Sequence, residues 1–319
     1  MEELRDLRRR IRSIRDTQQV TRAMSLVAST RLRRIERFVE PARTYAETLR
    51  RVVLDIAART PPWAHPLLKP REAVTRAYLV ITSDRGLAGG YNAEILRRAT
   101  DLLGAADLIP GHVAVVVAGR KGRDSFRRRG PRPVREYVHL PDTPDEALAQ
   151  HVAEGLLADY SEGRIDSVHM VFARFVSRGS YQPDVVQLLP VEGTQHADYQ
   201  DETRIPGTDN GGDRNEVIGR DNGGRDRERP NGPNLPITYE PSPESVFDRL
   251  FPHYLVSAVY AALVEAKASE LAARTIAMDS ATDNAGELIE RLTLTYNRAR
   301  QAEITQEISE IATGAESLR

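Results

Sequence analysis

Cysteine is absent from all 319 residues, which excludes disulfides, thiolate metal sites and thiol catalysis. Proline is absent from His253 to Arg319, and glycine occurs there only at Gly286 and Gly314. Aromatic residues are missing from Met1 to Glu36, and lysine is confined to Lys69, Lys121 and Lys267. No apolar run reaches the ~18 residues that a membrane span needs. Neither sign of charge dominates, since 45 basic and 46 acidic residues leave a net charge of −1. A polycation built to coat nucleic acid or membrane is therefore excluded. The N-terminus, Met1-Glu2-Glu3-Leu4-Arg5-Asp6, is acidic and has neither the apolar stretch of a secretory signal nor an acid-poor transit segment. Seven histidines are scattered without HExxH or other paired ligand spacing, and no G-x-S-x-G element occurs. These absences describe a soluble intracellular protein for which no metal, cofactor or catalytic residue is expected.

What is present is helix at both ends. From Tyr254 to Thr313 the chain is mostly Ala, Leu, Ile, Val, Glu and Arg. About 60 such residues at ~1.5 Å rise make a rod of roughly 90 Å. Helices of that length serve as coiled coils, spans or axles. At the other end, Leu4, Leu7, Ile11 and Ile14 repeat at 3-4-3 spacing, the seam of a coiled coil. Gln18 and Thr21 continue the register with polar residues. Met24, Val27, Ala28, Leu32, Ile35 and Phe38 then resume it with a shift, which predicts a change of partner helix. Pro41 is predicted to start a new helix, with Tyr45, Leu49, Val52, Val53 and Ile56 on its apolar face. Pro61, Pro62, Pro66 and Pro70 end helical structure.

Between the ends, two periodicities alternate. Ala77–Thr82 and Val113–Ala118 read as buried strands, Val134–Leu140 and Val168–Val176 as a third and fourth, and Asp184–Leu189 as a weak edge strand. Helices are expected at Ala93–Leu103, Lys121–Arg129 and Pro144–Ser161. Strand-helix alternation with unbroken apolar strands predicts a mostly parallel, Rossmann-like α/β domain covered on both faces. From Glu192 to Leu235 the chain carries Asn210-Gly211-Gly212-Asp213 and similar runs with few aliphatic residues, which predicts a disordered insertion. The expected divisions are 1–58 for the first helices, 73–191 for the α/β domain, 192–235 for the insertion and 241–319 for the long last helix.

The run Ser83-Asp84-Arg85-Gly86-Leu87-Ala88-Gly89-Gly90-Tyr91-Asn92 lies after a strand and before a helix, where phosphate loops occur. It matches neither G-x-x-x-x-G-K-[ST] nor G-x-G-x-x-G, so a tight strand-to-helix turn is the favoured reading. Arg5, Arg8, Arg9, Arg10, Arg12, Arg15 and Arg22 crowd the first helix, and six basic residues fall between Arg120 and Arg129. Without interleaved aromatics or a nucleic-acid module, a solvated face or an acidic protein partner explains them. Two other readings stay open on composition and pattern: a stand-alone nucleotide-binding α/β protein with a coiled-coil dimerisation stalk, and an Arg-rich RNA-binding coiled coil.

Four strings carry a resemblance. Thr21 to Ala28 fits T-x-A-M-x-x-V-A, Ser83 to Asn92 fits SDRGL-x-GG-Y-N, Ala281 to Ala285 reads ATDNA, and Ile304 to Ser317 fits Ile-Thr-x-Glu-x-x-Glu-x-x-x-Gly-Ala-x-Ser. In that order they resemble the γ subunits of F-type ATP synthases, over nearly the whole chain except the insertion. The resemblance implies an antiparallel coiled coil of the terminal helices with an α/β foot. It also implies three α and three β subunits around the shaft, a c-subunit ring and ε at the foot, and one copy per complex on the cytoplasmic face of a bacterial membrane.

By position in these motifs, the resemblance implies β-subunit contact by Arg300 and Gln301, with Thr305 one turn beyond. It implies the same of Met24, with Arg22 and Arg31 nearby, and of Arg274. It assigns Ser83, Asp84, Arg85, Gly86, Gly89, Gly90 and Asn92 to the foot turn. This chain departs from the family at Ser29 and Thr30, where Ala and Lys are common, which shifts the expected lower contact towards Arg31. The insertion falls where chloroplast relatives carry a two-cysteine redox segment, and without cysteine no thiol switch operates here.

Overall fold

A computed structural model describes residues 2–60, 67, 74–105, 112–191, 240 and 242–316. Two long helices, α1 (Glu2–Arg59) and α5 (Pro243–Glu316), run antiparallel, and the chain between them builds an α/β foot. The foot contains β1 (Arg76–Ile81), α2 (Tyr91–Ala105), β2 (Val113–Ala118), α3 (Arg120–Arg129), β3 (Arg135–Tyr137), α4 (Glu146–Ser161), β4 (Ser167–Ser177) and β5 (Ser180–Leu189). Strand order is β3-β2-β1-β4-β5. The first four strands are parallel, and β5 folds back antiparallel on β4 as an edge hairpin.

Both faces of the sheet are covered, which is why its inner strands are continuously apolar. Leu79, Ile81 and Val116 face one core with Val152 and Leu156 of α4, Val53 and Ile56 of α1, and Phe247, Phe251 and Tyr254 of α5. Tyr78, Val80, Val115 and Val117 face the other, with Tyr91, Ile95 and Ala99 of α2 and Phe126 of α3. Gly119, at φ 109°, joins β2 to α3 where a Cβ would come within 2.3 Å of the Thr82 carbonyl oxygen. Only glycine fits that approach. The third strand is shorter than Val134–Leu140, since it pairs through three residues only, and the edge strand is longer than Asp184–Leu189.

Two expectations for α1 are overturned. Pro41 does not start a new helix, because α1 runs through it unbroken. Proline removes one helical hydrogen bond and crowds the carbonyl four residues back, here that of exposed Arg37, which water can satisfy. Packing on both flanks holds the helix straight: Ile35 and Val39 are buried before the proline, Val53 and Ile56 after it. Nor does the seam shift. Leu4, Leu7, Ile11, Ile14, Gln18, Thr21, Ser25, Ala28, Leu32, Ile35 and Val39 are buried or half-buried, at unbroken 3-4 spacing. Met24, Val27 and Phe38 point outward and are exposed. The predicted insertion and the four prolines after Thr60 lie outside the described residues, as does Ser317 of the C-terminal signature.

A buried carboxylate and a half-buried guanidinium fix the frame. Arg43 of α1 donates from Nε and Nη2 to both carboxylate oxygens of Glu265 on α5, at 3.0 and 2.8 Å. The same Nη2 reaches the Phe175 carbonyl of β4, and the Phe175 N–H donates to Glu265 at 3.1 Å. The hydrogen bond to Glu265 holds the Arg43 pKa above its ordinary value. One carboxylate thus ties both long helices to the sheet. Arg43→Ala should cost about 3–5 kcal/mol, because it strands a buried charge. Arg43→Ala combined with Glu265→Leu should recover most of that loss in chemical denaturation, and a purely additive double variant would refute the pairing.

In the foot, Asp159 at the end of α4 accepts two hydrogen bonds from Arg135 and two from Arg164. The Arg135 hydrogen bond is the largest influence holding its carboxyl below the usual range. A carboxyl lowered on folding stabilises the fold above its unfolded pKa, and that contribution is lost as pH falls towards the folded value. Melting temperature should therefore drop below about pH 4 more steeply in the native chain than in Asp159→Asn. The variant should be less stable near neutral pH by about 1–3 kcal/mol, with parallel pH profiles as the contrary result.

Candidate functional site: the shaft and its seat on the foot

The register of the shaft is readable from its cross-links. Ser25 Oγ donates to Asp279 at 2.5 Å, Thr21 and Thr282 hydroxyls meet at 2.7 Å, and Gln18 donates to the Thr282 carbonyl at 3.3 Å. Gly286 lies against the Gln18 amide, 3.1 Å from where a Cβ would stand. Farther out, Arg8 donates to the Tyr296 hydroxyl and sets its guanidinium 5.4 Å from the ring centre. Positions on α1 descend as those on α5 rise, so the start of α1 comes level with about Ala302.

The α5 side of the seam is Met278, Thr282, Ala285, Ile289, Leu292, Tyr296, Ala299 and Glu303, again at 3-4 spacing and all at least half-buried. Beyond Glu303 the partner helix has ended. Ile304, Ile308 and Ile311 are 42%, 62% and 72% exposed, and every described side chain in that stretch is exposed. A helix that keeps three isoleucines in solvent is presenting them to something else.

Of the residues implied by resemblance, Arg22, Met24, Arg300, Gln301 and Thr305 lie on exposed faces of the shaft. Arg31 instead pairs with Asp142 of the foot at 3.0 Å. Arg274 turns inward, with Glu270 at 2.7 Å and the Gly86 carbonyl at 3.1 Å. These two arginines seat the shaft on the foot.

The foot turn is the other half of that seat. Asn92 Oδ1 accepts from the Ser83 N–H at 3.0 Å, and Ser83 Oγ donates to the Arg85 carbonyl at 2.6 Å. Asp84 accepts from the Arg120 N–H at 2.7 Å and the Leu140 N–H at 2.5 Å. Its carboxylate occupies the start of α3, where the helix field favours negative charge. Gly89, at φ 55°, brings the turn close to Ala277 of α5. Gly90 opens α2 with its carbonyl accepting from Glu94. Tyr91 donates its hydroxyl to the Ala266 carbonyl at 2.9 Å, and burial pushes its pKa far up. Tyr181, pushed up to about 12 mainly by burial, donates to Glu94. Both phenols stay protonated and act as pins. The turn works as a structural latch joining β1, α2, α3 and α5.

The cross-links Arg43–Glu265 and Ser25–Asp279 were not anticipated from the sequence. Strict heptad counting past Gln18 would have found Ser25, since it lands on the seam. Nothing local marks Arg43 as the partner of Glu265. Among the described residues no cluster of His, Asp or Glu could hold a metal ion, and no helix is long and apolar enough to cross a membrane.

The whole chain has known counterparts. The family model described as ATP synthase matches residues 3–318. The chain is 40% identical over 320 residues to the ATP synthase gamma chain of Halothermothrix orenii, covering 100% of both chains. It is 42% identical over 318 residues to that of Desulforamulus reducens, again covering 100% of both. Among solved structures, a chain of the Euglena gracilis mitochondrial ATP synthase OSCP/F1/c-ring is similar at a TM-score of 0.65 and 15% identity, with 99% of this chain and 95% of that one covered. A chain from the Tetrahymena thermophila mitochondrial ATP synthase central stalk/c-ring gives 0.56 and 20%, with 82% and 99% covered. With relatives matched from end to end, and a two-helix shaft locked to an α/β foot, this chain belongs to the family of ATP synthase γ chains.

Proposed function

We infer that this chain is the central rotor of a proton-translocating F-type ATP synthase, passing rotation from a membrane ring to the catalytic β subunits. The observation that carries the reading is the shaft itself. It is a continuous antiparallel pair anchored through Arg43–Glu265 and the foot latch, and it ends in a single bare helix. Such a body can transmit torque and has different contacts on each side, as a rotor inside a ring of alternating states needs. Catalysis belongs to the surrounding subunits. The rotor supplies differential contact free energy between their conformations, which is the only way a bound element shifts such an equilibrium.

The proposed arrangement has one copy inside three α and three β subunits. The foot faces a c-subunit ring and ε on the cytoplasmic side of a bacterial membrane. Arg300 and Gln301, with Thr305 a turn beyond, are the proposed upper contact with β. A guanidinium can hold a carboxylate in a fork that is strong yet reversible. Arg22 and Met24 form the proposed lower contact. Their exposure on the outer face of α1 supports that role, and Arg31 and Arg274, which also pair within the chain, complete the proposed set of contacts.

Co-expression with cognate α and β subunits tests the reading. A complex with one copy of this chain per three αβ pairs, whose multi-site ATP hydrolysis requires the chain, is the expected result. A chain that fails to associate with competent α and β subunits overturns it. Within the assembled complex, Arg300→Ala with Gln301→Ala should lower multi-site hydrolysis by about tenfold, the equivalent of one lost charge-assisted contact. Unchanged hydrolysis would remove the upper contact from these two residues.

A further inference from the structure

The carboxyl ends of β1, β2 and β3 open on a cavity of about 430 Å³ that is roofed by α5. Ligands of open α/β sheets bind outside the carboxyl ends of the strands, and these three ends supply Thr82, Arg120 and His139 to the lining. Its volume falls within the range of small-molecule sites.

The charges around the cavity do not balance. Among the described residues, five cationic side chains line it, Arg31, Arg85, Arg120, Lys267 and Arg274, against the carboxylates of Asp84, Asp142 and Glu270, and Asp142 is taken up by Arg31 at 3.0 Å. Asp84 is already committed to the backbone N–H groups of Arg120 and Leu140. Glu270 alone answers both Lys267, at 3.1 Å, and Arg274, at 2.7 Å. These two cationic side chains are only 16% and 15% exposed, beside a wall of Ile81, Leu263 and Ala266. Such a wall strengthens electrostatic interactions, and clustered positive charge with too few counter-charges is costly there. Arg85 and Arg120 stand exposed at the rim, and Arg31 reaches in from α1.

We propose that this cavity binds a small polyvalent anion bearing phosphate groups, held between the foot and the root of the shaft. The surplus of positive charge suits a dianion or a more highly charged species, and guanidinium forks fit phosphate oxygens in pairs. The ligand does not sit at the start of α3 as a dinucleotide pyrophosphate would, because the Asp84 carboxylate occupies that place. Lys267 and Arg274 hold it from α5, and Arg85 and Arg120 hold it from the foot. Binding therefore adds a removable bridge across the joint between rotor shaft and base.

Titration calorimetry on the full chain at matched ionic strength tests this, with inorganic phosphate, pyrophosphate and ADP as separate probes. Saturable binding of at least one is expected. Arg85→Ser with Arg120→Ser, two exposed positions whose change leaves the core intact, should weaken it by about tenfold or more. Lys267→Gln should weaken it comparably. ADP bound more tightly than pyrophosphate would make a nucleotide the source of the phosphates, and the reverse order would make it the free inorganic anion. No saturable binding of any probe in the low millimolar range, or binding indifferent to all these variants, overturns the proposal. The rotor reading rests on co-assembly with α and β and is untouched by either result.

Discussion

One helix has to be the centre of the foot and the spine of the shaft. Between Tyr254 and Ala273, α5 is enclosed by the sheet, α1, α2 and α4, so its side chains are buried nearly all the way round. Such enclosure needs small and apolar residues, and the alanines of that stretch let neighbouring backbones come close. The polar exceptions are each tied down. Ser269 donates to the Ala173 carbonyl at 3.1 Å, and Glu265 is held by Arg43 and Phe175. A helix gripped in this way cannot turn in its socket, so rotation applied to the foot is rotation of the shaft.

Away from the foot the same two helices are held by different means. Near the base the seam is Ala28, Leu32, Ile35 and Val39 against Val264, Ala268 and Leu271, an ordinary apolar core. Farther out it passes through Ser25, Thr21 and Gln18 before returning to Ile14 and Ile11. Polar residues on a seam contribute less stability than apolar ones but permit fewer alternative alignments. Here they pin Asp279 and Thr282 opposite fixed partners, which sets how far the bare tip extends.

Much of this was legible in the chain. The inner strands show as unbroken apolar runs because both faces of the sheet are covered, and the long last helix shows because nothing interrupts it. The third strand was overestimated, since three ladder positions leave almost no periodic signal. The supposed seam shift had a more instructive cause. Met24, Val27 and Phe38 are apolar, as a seam requires, yet they lie on the outer surface. A helix face turned to solvent can have the composition of a core without being one. Pro41 misled for the opposite reason, because a local rule was overridden by packing on both sides of it. The Arg43–Glu265 pair spans 222 positions and left no trace in the local pattern.

The unbroken seven-residue spacing of the seam also has a mechanical side. Because 3.5 is less than the natural helical repeat, two helices that keep it must wind around each other with a left-handed sense. Such a rope is chiral. Torque of one sense tightens the winding and presses the seam together, while torque of the other sense opens it. The spindle is therefore a spring whose stiffness depends on the direction in which it is driven.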